Sequence, residues 1–288
     1  MTRSIPPRNT LHRLLRPLIP NFRLQIAHAE PGTFLNVRLR QHLGLIARGA
    51  KAYESQYVNL MRGLVSKGDI VFDVGANIGF YSVLFSRWVW SAGKVIAYEP
   101  DPRNVELLKR NLTSNGCQNV IVRDVALSKE QGSECFSLDR ITGATGHLGA
   151  GPTYAETILG SGQSTLVKVT TSTLDAEATL WGPPNLIKLD IEGGELDALS
   201  GALTLLARRQ VLIVSELSVW NESTVLSRAA EATLLLGDFG YVMIDLDTCR
   251  EIKPGSVGWM ILAVPRDRVR ENVVAKAMSK FAYYSGKT

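Results

Sequence analysis

The stretch Asp69-Ile70-Val71-Phe72-Asp73-Val74-Gly75-Ala76-Asn77-Ile78-Gly79-Phe80-Tyr81-Ser82 reads as a buried strand, a glycine turn and the first turn of a helix. Ile70, Val71, Phe72 and Val74 form a short apolar run that suits a strand covered on both faces. Gly75 and Gly79 remove side chains where the backbone must turn sharply and approach something closely. The helix that follows, Phe80 to about Val89, begins with free backbone N–H groups aimed at that gap. The next strand, Lys94 to Tyr98, ends in Glu99, where a carboxylate accepts hydrogen bonds from ribose hydroxyls. Together these are the two halves of a nucleotide site.

The first turn lacks the G-x-G-x-x-G spacing of a dinucleotide fingerprint, and Asp73 sits just inside the strand end. A carboxylate there suits a cationic or amine-bearing cofactor better than a pyrophosphate. S-adenosylmethionine fits, with its sulfonium and amino group near Asp73, its ribose at Glu99 and no phosphates that need a nest.

A chain of 288 residues with 45% hydrophobic composition can bury one sizeable core and carry an appendage. No apolar run reaches the ~18 residues of a membrane span. No signal peptide is evident, because Met1 to Pro20 is arginine-rich and broken by prolines. Cys117, Cys135 and Cys249 are scattered, so neither a disulfide framework nor a zinc site is expected, and a cytoplasmic protein is. The +5 net charge is uneven: residues 1–50 carry +7 and residues 265–288 carry +4, which leaves the middle at −6. That pattern argues against a broad nucleic-acid groove on the core and leaves terminal contact with an anionic surface open.

Residues 1–50 are expected to be a basic, partly disordered extension, residues 51–265 the catalytic domain and residues 266–288 a basic tail. Leu11, Leu14, Leu15 and Leu18 give the extension a second reading, as a peripheral membrane contact. Residues 22–44 alternate as a small β element does, and Tyr53 to Val65 has helical spacing. Asp101-Pro102 opens a helix that runs to Asn115-Gly116, Asp101 as cap and Pro102 in the first position. Val120 to Leu127 is the third strand and its exit, and residues 133–138 and 165–174 read as two more strands. Between them Arg140 to Gln163 is rich in Gly, Ser and Thr and is read as a lid or acceptor loop. Leu186 to Leu189 is a buried strand ending in Asp190 and Glu192, followed by a helix from Glu195 to about Leu206. Val211 to Leu217 is a further strand ending near Glu216; a helix near Glu222 to Leu236 and strands at Tyr241–Asp245 and Trp259–Val264 complete the chain. This alternation indicates an α/β sheet covered on both faces, with a late hairpin.

Asp73, Glu99, Asp124, Asp190 and Glu216 all lie at strand ends, where open α/β sheets bind ligands. Carboxylates crowded together repel, so five of them are best explained by a polar cleft with a cationic ligand. Asp124 is read either as a contact to the adenine amino group or as a plain strand end. Asp190 and Glu192 are read as active-site residues, Lys188 as a partner of one carboxylate or a flanking residue, and Glu216 as acceptor contact or scaffold. His147, alone in the long loop, reads as a surface histidine more than as a base. No spacing demands a metal, although Asp190, Glu192 and Glu216 have the oxygen chemistry for a divalent ion.

Val71 to Ser82, Tyr98-Glu99-Pro100, Val125-Ala126-Leu127-Ser128 and Ile187 to Glu195, with Thr173-Leu174-Asp175, together resemble the FkbM-type S-adenosylmethionine-dependent methyltransferases. The resemblance spans about Tyr53 to Val264. It implies a class I methyltransferase, Rossmann-like fold: a seven-stranded, mostly parallel sheet with helices on both faces and the last strand antiparallel. It also implies O-methylation of a sugar, glycan or natural-product hydroxyl. It places Asp73, Gly75, Asn77 and Gly79 against the methionine portion of the cofactor, Glu99 at the ribose, and Asp124 and Val125 at the adenine, with Ala76, Tyr81, Ser82 and Pro100 as further cofactor-binding positions. Asp190 and Glu192 are then the expected catalytic pair. The competing readings are a methyltransferase of RNA or protein and a non-catalytic binding module on the same scaffold.

Overall fold

The computed structural model describes residues 19–159, 165–217, 223–269 and 271–284. Leu11, Leu14, Leu15 and Leu18, on which the membrane-contact reading rests, lie outside the described residues. The chain begins with a hairpin, β1 (Arg23–Ala27) and β2 (Phe34–Arg38), followed by α1 (Leu43–Arg48) and α2 (Ser55–Leu64). Then come β3 (Ile70–Val74), α3 (Phe80–Val89), β4 (Lys94–Tyr98), α4 (Pro102–Ser114), β5 (Val120–Arg123) and β6 (Ala126–Leu127). The middle holds β7 (Gly132–Leu138), β8 (His147–Leu148), α5 (Tyr154–Leu159), β9 (Thr165–Ser172) and α6 (Leu174–Trp181). The last part runs β10 (Leu186–Leu189), α7 (Glu195–Ser200), α8 (Leu203–Ala207), β11 (Leu212–Glu216), α9 (Ser223–Asp238), β12 (Tyr241–Asp245), β13 (Arg250–Ile252), β14 (Met260–Pro265) and α10 (Asn272–Tyr284).

The main sheet has the order β13-β12-β14-β11-β10-β3-β4-β5. From β5 through β11 every pairing is parallel, while β14 runs antiparallel to both β11 and β12. This is the expected class I arrangement with one addition, the three-residue edge strand β13. The alternation within each strand builds two cores. Val71, Val95, Leu186, Leu212 and Leu262 face one way, onto α2, α3 and α10. Phe72, Ile96, Ile187, Ile213 and Ile261 face the other, onto α6 to α9. Because β3 has β4 on one side and β10 on the other, the chain winds outward from β3 in both directions, and a crevice opens beyond its carboxyl end.

Local chemistry sets the boundaries. Asp101 caps α4 by accepting from the Arg103 N–H at 2.8 Å, with Pro102 in the first turn. The single helix read from Glu195 to Leu206 is two short helices. A side chain at Gly201 would meet the Ser128 carbonyl oxygen at 2.4 Å, and Asp175 caps the second helix through the Thr204 and Leu205 N–H groups. The strands expected at 133–138 and 165–174 form as β7 and β9, the second ending at Ser172 because Thr173 caps α6, and they belong to a separate four-stranded sheet of order β6-β9-β7-β8. The hairpin β1–β2 is stitched to α4 by Asn111 and Asn115, whose side chains exchange hydrogen bonds with the Phe34 and Asn36 backbone. Leu35, Val37 and Leu45 lie in the same core cluster as Leu84 and Phe85. No helix among the described residues is long and apolar enough to cross a membrane.

Candidate active site

Beyond the carboxyl ends of β3, β4, β10 and β11 the residues enclose a cleft of about 440 Å³. Its floor is the turn after β3. The Gly75 and Ala76 N–H groups donate to the Tyr98 carbonyl at 3.0 and 2.9 Å, which folds the turn against β4. Gly75 has φ +77°, and a Cβ there would lie 1.9 Å from the Asp190 carbonyl oxygen, so only glycine fits. Asn77, at φ +50°, donates its N–H to Glu99 at 2.8 Å and its side-chain amide to the Gly143 carbonyl at 3.1 Å.

Glu99 stands where the sequence puts it. It is buried, and its two oxygens accept the Asn77 and Asp101 N–H groups at 2.8 and 2.9 Å. The Asn104 side chain adds a further bond, and of the carboxylate's four acceptor positions one is left for a hydroxyl donor. Burial pushes its carboxyl up to about 7, against those backbone bonds. Pro100, Asn104, Val125, Ala126, Leu127 and Phe136 continue this end of the cleft as a mostly apolar wall. The Arg140–Gln163 loop begins as an ordered cover. Asp139 is fully buried and accepts the N–H groups of Ile141, Thr142, Ala144 and Thr145 together with the Thr142 and Thr145 hydroxyls. These bonds overcome burial and hold its carboxyl below the usual value. They present Gly143, whose carbonyl is bound by both Asn77 and Asn104. Residues 160–163 of that loop lie outside the described residues.

The other end of the cleft is acidic. Asp190, Glu192 and Glu216 line it with Lys188, Tyr53, Glu54 and Tyr81. The β10–β11 register pairs Leu189 with Ser215, so Asp190 and Glu216 leave adjacent strand ends side by side. Lys188 Nζ donates to Asp190 at 3.0 Å and to the Gly75 carbonyl at 3.1 Å, with Asp73 at 4.0 Å. Burial pulls this amine down, but the Asp190 and Asp73 charges outweigh it and hold Lys188 firmly protonated. Among the described residues no ion pair reaches Glu192 or Glu216. Burial and the neighbouring Asp190 charge push the Glu216 carboxyl up to about 9 and that of Glu192 well above the usual range.

Several sequence-derived positions stand elsewhere. Asp73 is fully buried behind the turn rather than in the cleft. One oxygen accepts the Ser82 hydroxyl at 2.5 Å, the other has no hydrogen-bond partner, and both groups lie under the floor. Its register partner on β10 is Lys188, through which its charge reaches the cleft. Gly79 starts α3 at φ +87° beneath the turn. Asp124 points outward to Lys109 at 3.1 Å and does not line the cleft, although Val125 next to it does. His147 is half-buried in β8 and is not part of the lining.

Sequence reasoning missed Tyr53, Glu54, Asn104 and Asp139. Glu54, Asn77 and Glu192 are non-glycine residues at φ +48°, +50° and +57°, and all three line the cleft. Such backbone conformations cost energy and gather at working sites. Among the described residues no group of three or more His, Cys, Asp or Glu side chains is disposed to hold a metal ion.

The family model described as the methyltransferase FkbM domain matches residues 73–243. Hexuronic acid methyltransferase AglP of Haloferax volcanii is 26% identical over 161 residues, covering 56% of this chain and 61% of that protein. Among solved structures, methyltransferase FkbM from Methylobacillus flagellatus KT is similar at 17% identity and TM-score 0.44, over 78% of this chain and 54% of that one. The O-methyltransferase from Bacillus cereus in complex with SAH is similar at 14% identity and TM-score 0.44, over 77% and 85% of the two chains. The chain thus spans less than two thirds of the length of AglP and of the FkbM structure.

Proposed function

The chain belongs to the FkbM methyltransferase family, and from that premise we propose that it is an S-adenosylmethionine-dependent O-methyltransferase acting on a hydroxyl of a sugar, glycan or natural product. The observation that carries this reading is the division of one cleft into two ends. One end holds the Gly75–Asn77 turn, Glu99 and an apolar wall; the other holds Asp190, Glu192 and Glu216. The residues fit the cofactor. Glu99 has acceptor capacity left for the ribose, Val125 to Leu127 with Phe136 suit the adenine, and Glu192 and Glu216, which have no ion pair among the described residues, suit a cation whose charge favours their ionised forms. When bound, S-adenosylmethionine supplies an electrophilic methyl group on a sulfonium.

The chain's own task is alignment and proton removal. Asp190, fixed by Lys188, orients the acceptor hydroxyl. Glu192, which has no ion-pair partner among the described residues, takes the proton in its ionised form, which the charge of the bound cationic cofactor favours over burial. Loop residues Thr142 to Ala144 cover the cofactor end and limit access of water. A sugar acceptor is supported by the hexuronic acid methyltransferase among the relatives. Within the basic segments 1–50 and 266–288, the hairpin β1–β2 and α10 brace the catalytic domain 51–265 through the core, and the protein is assigned to the cytoplasm.

Incorporation of a labelled methyl group from S-adenosylmethionine into fractionated cell extracts tests this reading. Asp190→Asn and Glu192→Gln are each expected to lower kcat about 100-fold or more, with calorimetry recording a much smaller loss of cofactor affinity. Normal turnover in both variants would overturn the assignment. Tight, salt-sensitive RNA binding with methyl transfer to RNA would favour the nucleic-acid reading instead.

A further inference from the structure

We propose that Glu54, from a helix start upstream of the family segment, is a positioning residue of the methyl-transfer site that sets Tyr81 and Lys188 against Asp190. The proposal rests on the methyltransferase reading and extends the working site to residues outside 73–243.

The geometry forms a chain of contacts. Glu54 lines the cleft, and its carboxylate accepts the Tyr81 hydroxyl at 2.6 Å, with Tyr53 supplying a further hydrogen bond. Tyr81 lies in the first turn of α3, two residues beyond Gly79. The Lys188 amine is 5.5 Å from the Tyr81 ring centroid and holds both the Gly75 carbonyl and Asp190. One side chain thus holds Tyr81, whose ring lies beside the lysine that braces both the cofactor turn and the acceptor carboxylate.

Stability alone does not account for Glu54. It occupies the position before α2 at φ +48°, yet its side chain makes no capping bond to that helix. Burial raises its carboxyl above the usual value, opposed by the Tyr81 bond and the Lys188 charge. A half-buried carboxylate at a strained backbone position is costly, and such groups gather where function requires them. The charged and titratable groups around it are Tyr53 on its own segment, Tyr81 on α3, Lys188 and Asp190 at β10, and Glu216 at β11. Its support also comes from outside the family segment. The helix α2 packs on α10, where Tyr57 stacks on Phe281 with ring centroids 6.0 Å apart and a Cβ at Gly63 would touch that of Ala277 at 3.0 Å.

The test compares full-length wild type, Glu54→Gln, Tyr81→Phe and the double variant. Calorimetry with S-adenosylmethionine gives cofactor affinity. Steady-state kinetics with the acceptor found by methyl labelling give kcat, KM and the pH profile of kcat. Glu54→Gln is expected to lower kcat about tenfold or more and to leave cofactor affinity within about threefold. The acidic limb of its pH profile moves to lower pH, because removing a negative charge eases ionisation of the carboxylates beside it. The double variant is expected to be no worse than the weaker single variant. Wild-type kcat with an unshifted profile in Glu54→Gln, or fully additive losses, would overturn the proposal. So would an activity loss that follows a lowered melting temperature and disappears on cooling. If wild type binds no S-adenosylmethionine, the function reading itself falls before any variant is compared, and this proposal with it.

Discussion

A Cβ at residue 75 would sit 1.9 Å from the Asp190 carbonyl oxygen, at a φ of +77° that disfavours any L side chain. Gly75→Ala therefore has to move the β3 turn away from the end of β10. It is expected to cost about 2 kcal/mol or more in a urea titration and to abolish measurable cofactor binding in calorimetry. A variant of wild-type stability and affinity would mean that the turn and Asp190 are not in contact. At this scale the sequence announced Gly75, Asn77, Glu99, Asp190 and Glu192 by their places at strand ends. It did not announce which way a side chain there would point. Asp124 follows β5 as Glu99 follows β4, yet Lys109 on α4 holds it at the surface. Asp73 lies inside its strand, so the pleat turns it beneath the floor toward Ser82.

The helix α10 packs on α2 and does not line the cleft. Val274, Ala277 and Phe281 are buried, and Phe281 is 1% exposed against α2. Phe281→Ala removes an aromatic ring from a closed contact and is expected to destabilise the protein by about 3–4 kcal/mol, measured by chemical unfolding. Because α2 leads out of Glu54, the same variant is expected to weaken turnover at temperatures where it remains folded. Undiminished stability would show that the helix is only loosely applied. Helical spacing in Tyr53 to Val65 was legible in the sequence. Its packing partner was not, because α10 follows it by more than 200 residues and carries a basic outer face that reads as a tail.

The whole molecule carries a stack of carboxyls whose proton affinity is raised by folding. Glu99 and Glu195 are pushed up to about 7 and Glu216 to about 9, in each case chiefly by burial. In the unfolded chain they ionise near 4.5. Between those values the folded protein holds protons that the unfolded chain has released, so raising the pH favours unfolding. The melting temperature of the ligand-free protein is expected to fall from pH 5 toward pH 9. Glu99 and Glu195 contribute up to about pH 7, and Glu216 continues to about pH 9. A cationic ligand favours the ionised carboxylates, so stabilisation by S-adenosylmethionine is expected to grow with pH, and by its uncharged thioether product to grow less. Thermal melts across that range check both slopes, and a flat profile would show that the acid groups are already compensated.

The sequence by itself determined the strand–turn–helix at 70–89, the acid after the second strand, the order of the later strands and the family. Each of these is written in residues close together along the chain. Only the tertiary structure decided that Glu54 shares a cleft with Lys188 and Asp190, that Asn77 and Asn104 hold the Gly143 carbonyl, and that Asp124 faces away. Those outcomes depend on which strands become neighbours and on the face each side chain takes, and both are fixed by packing between segments far apart in sequence.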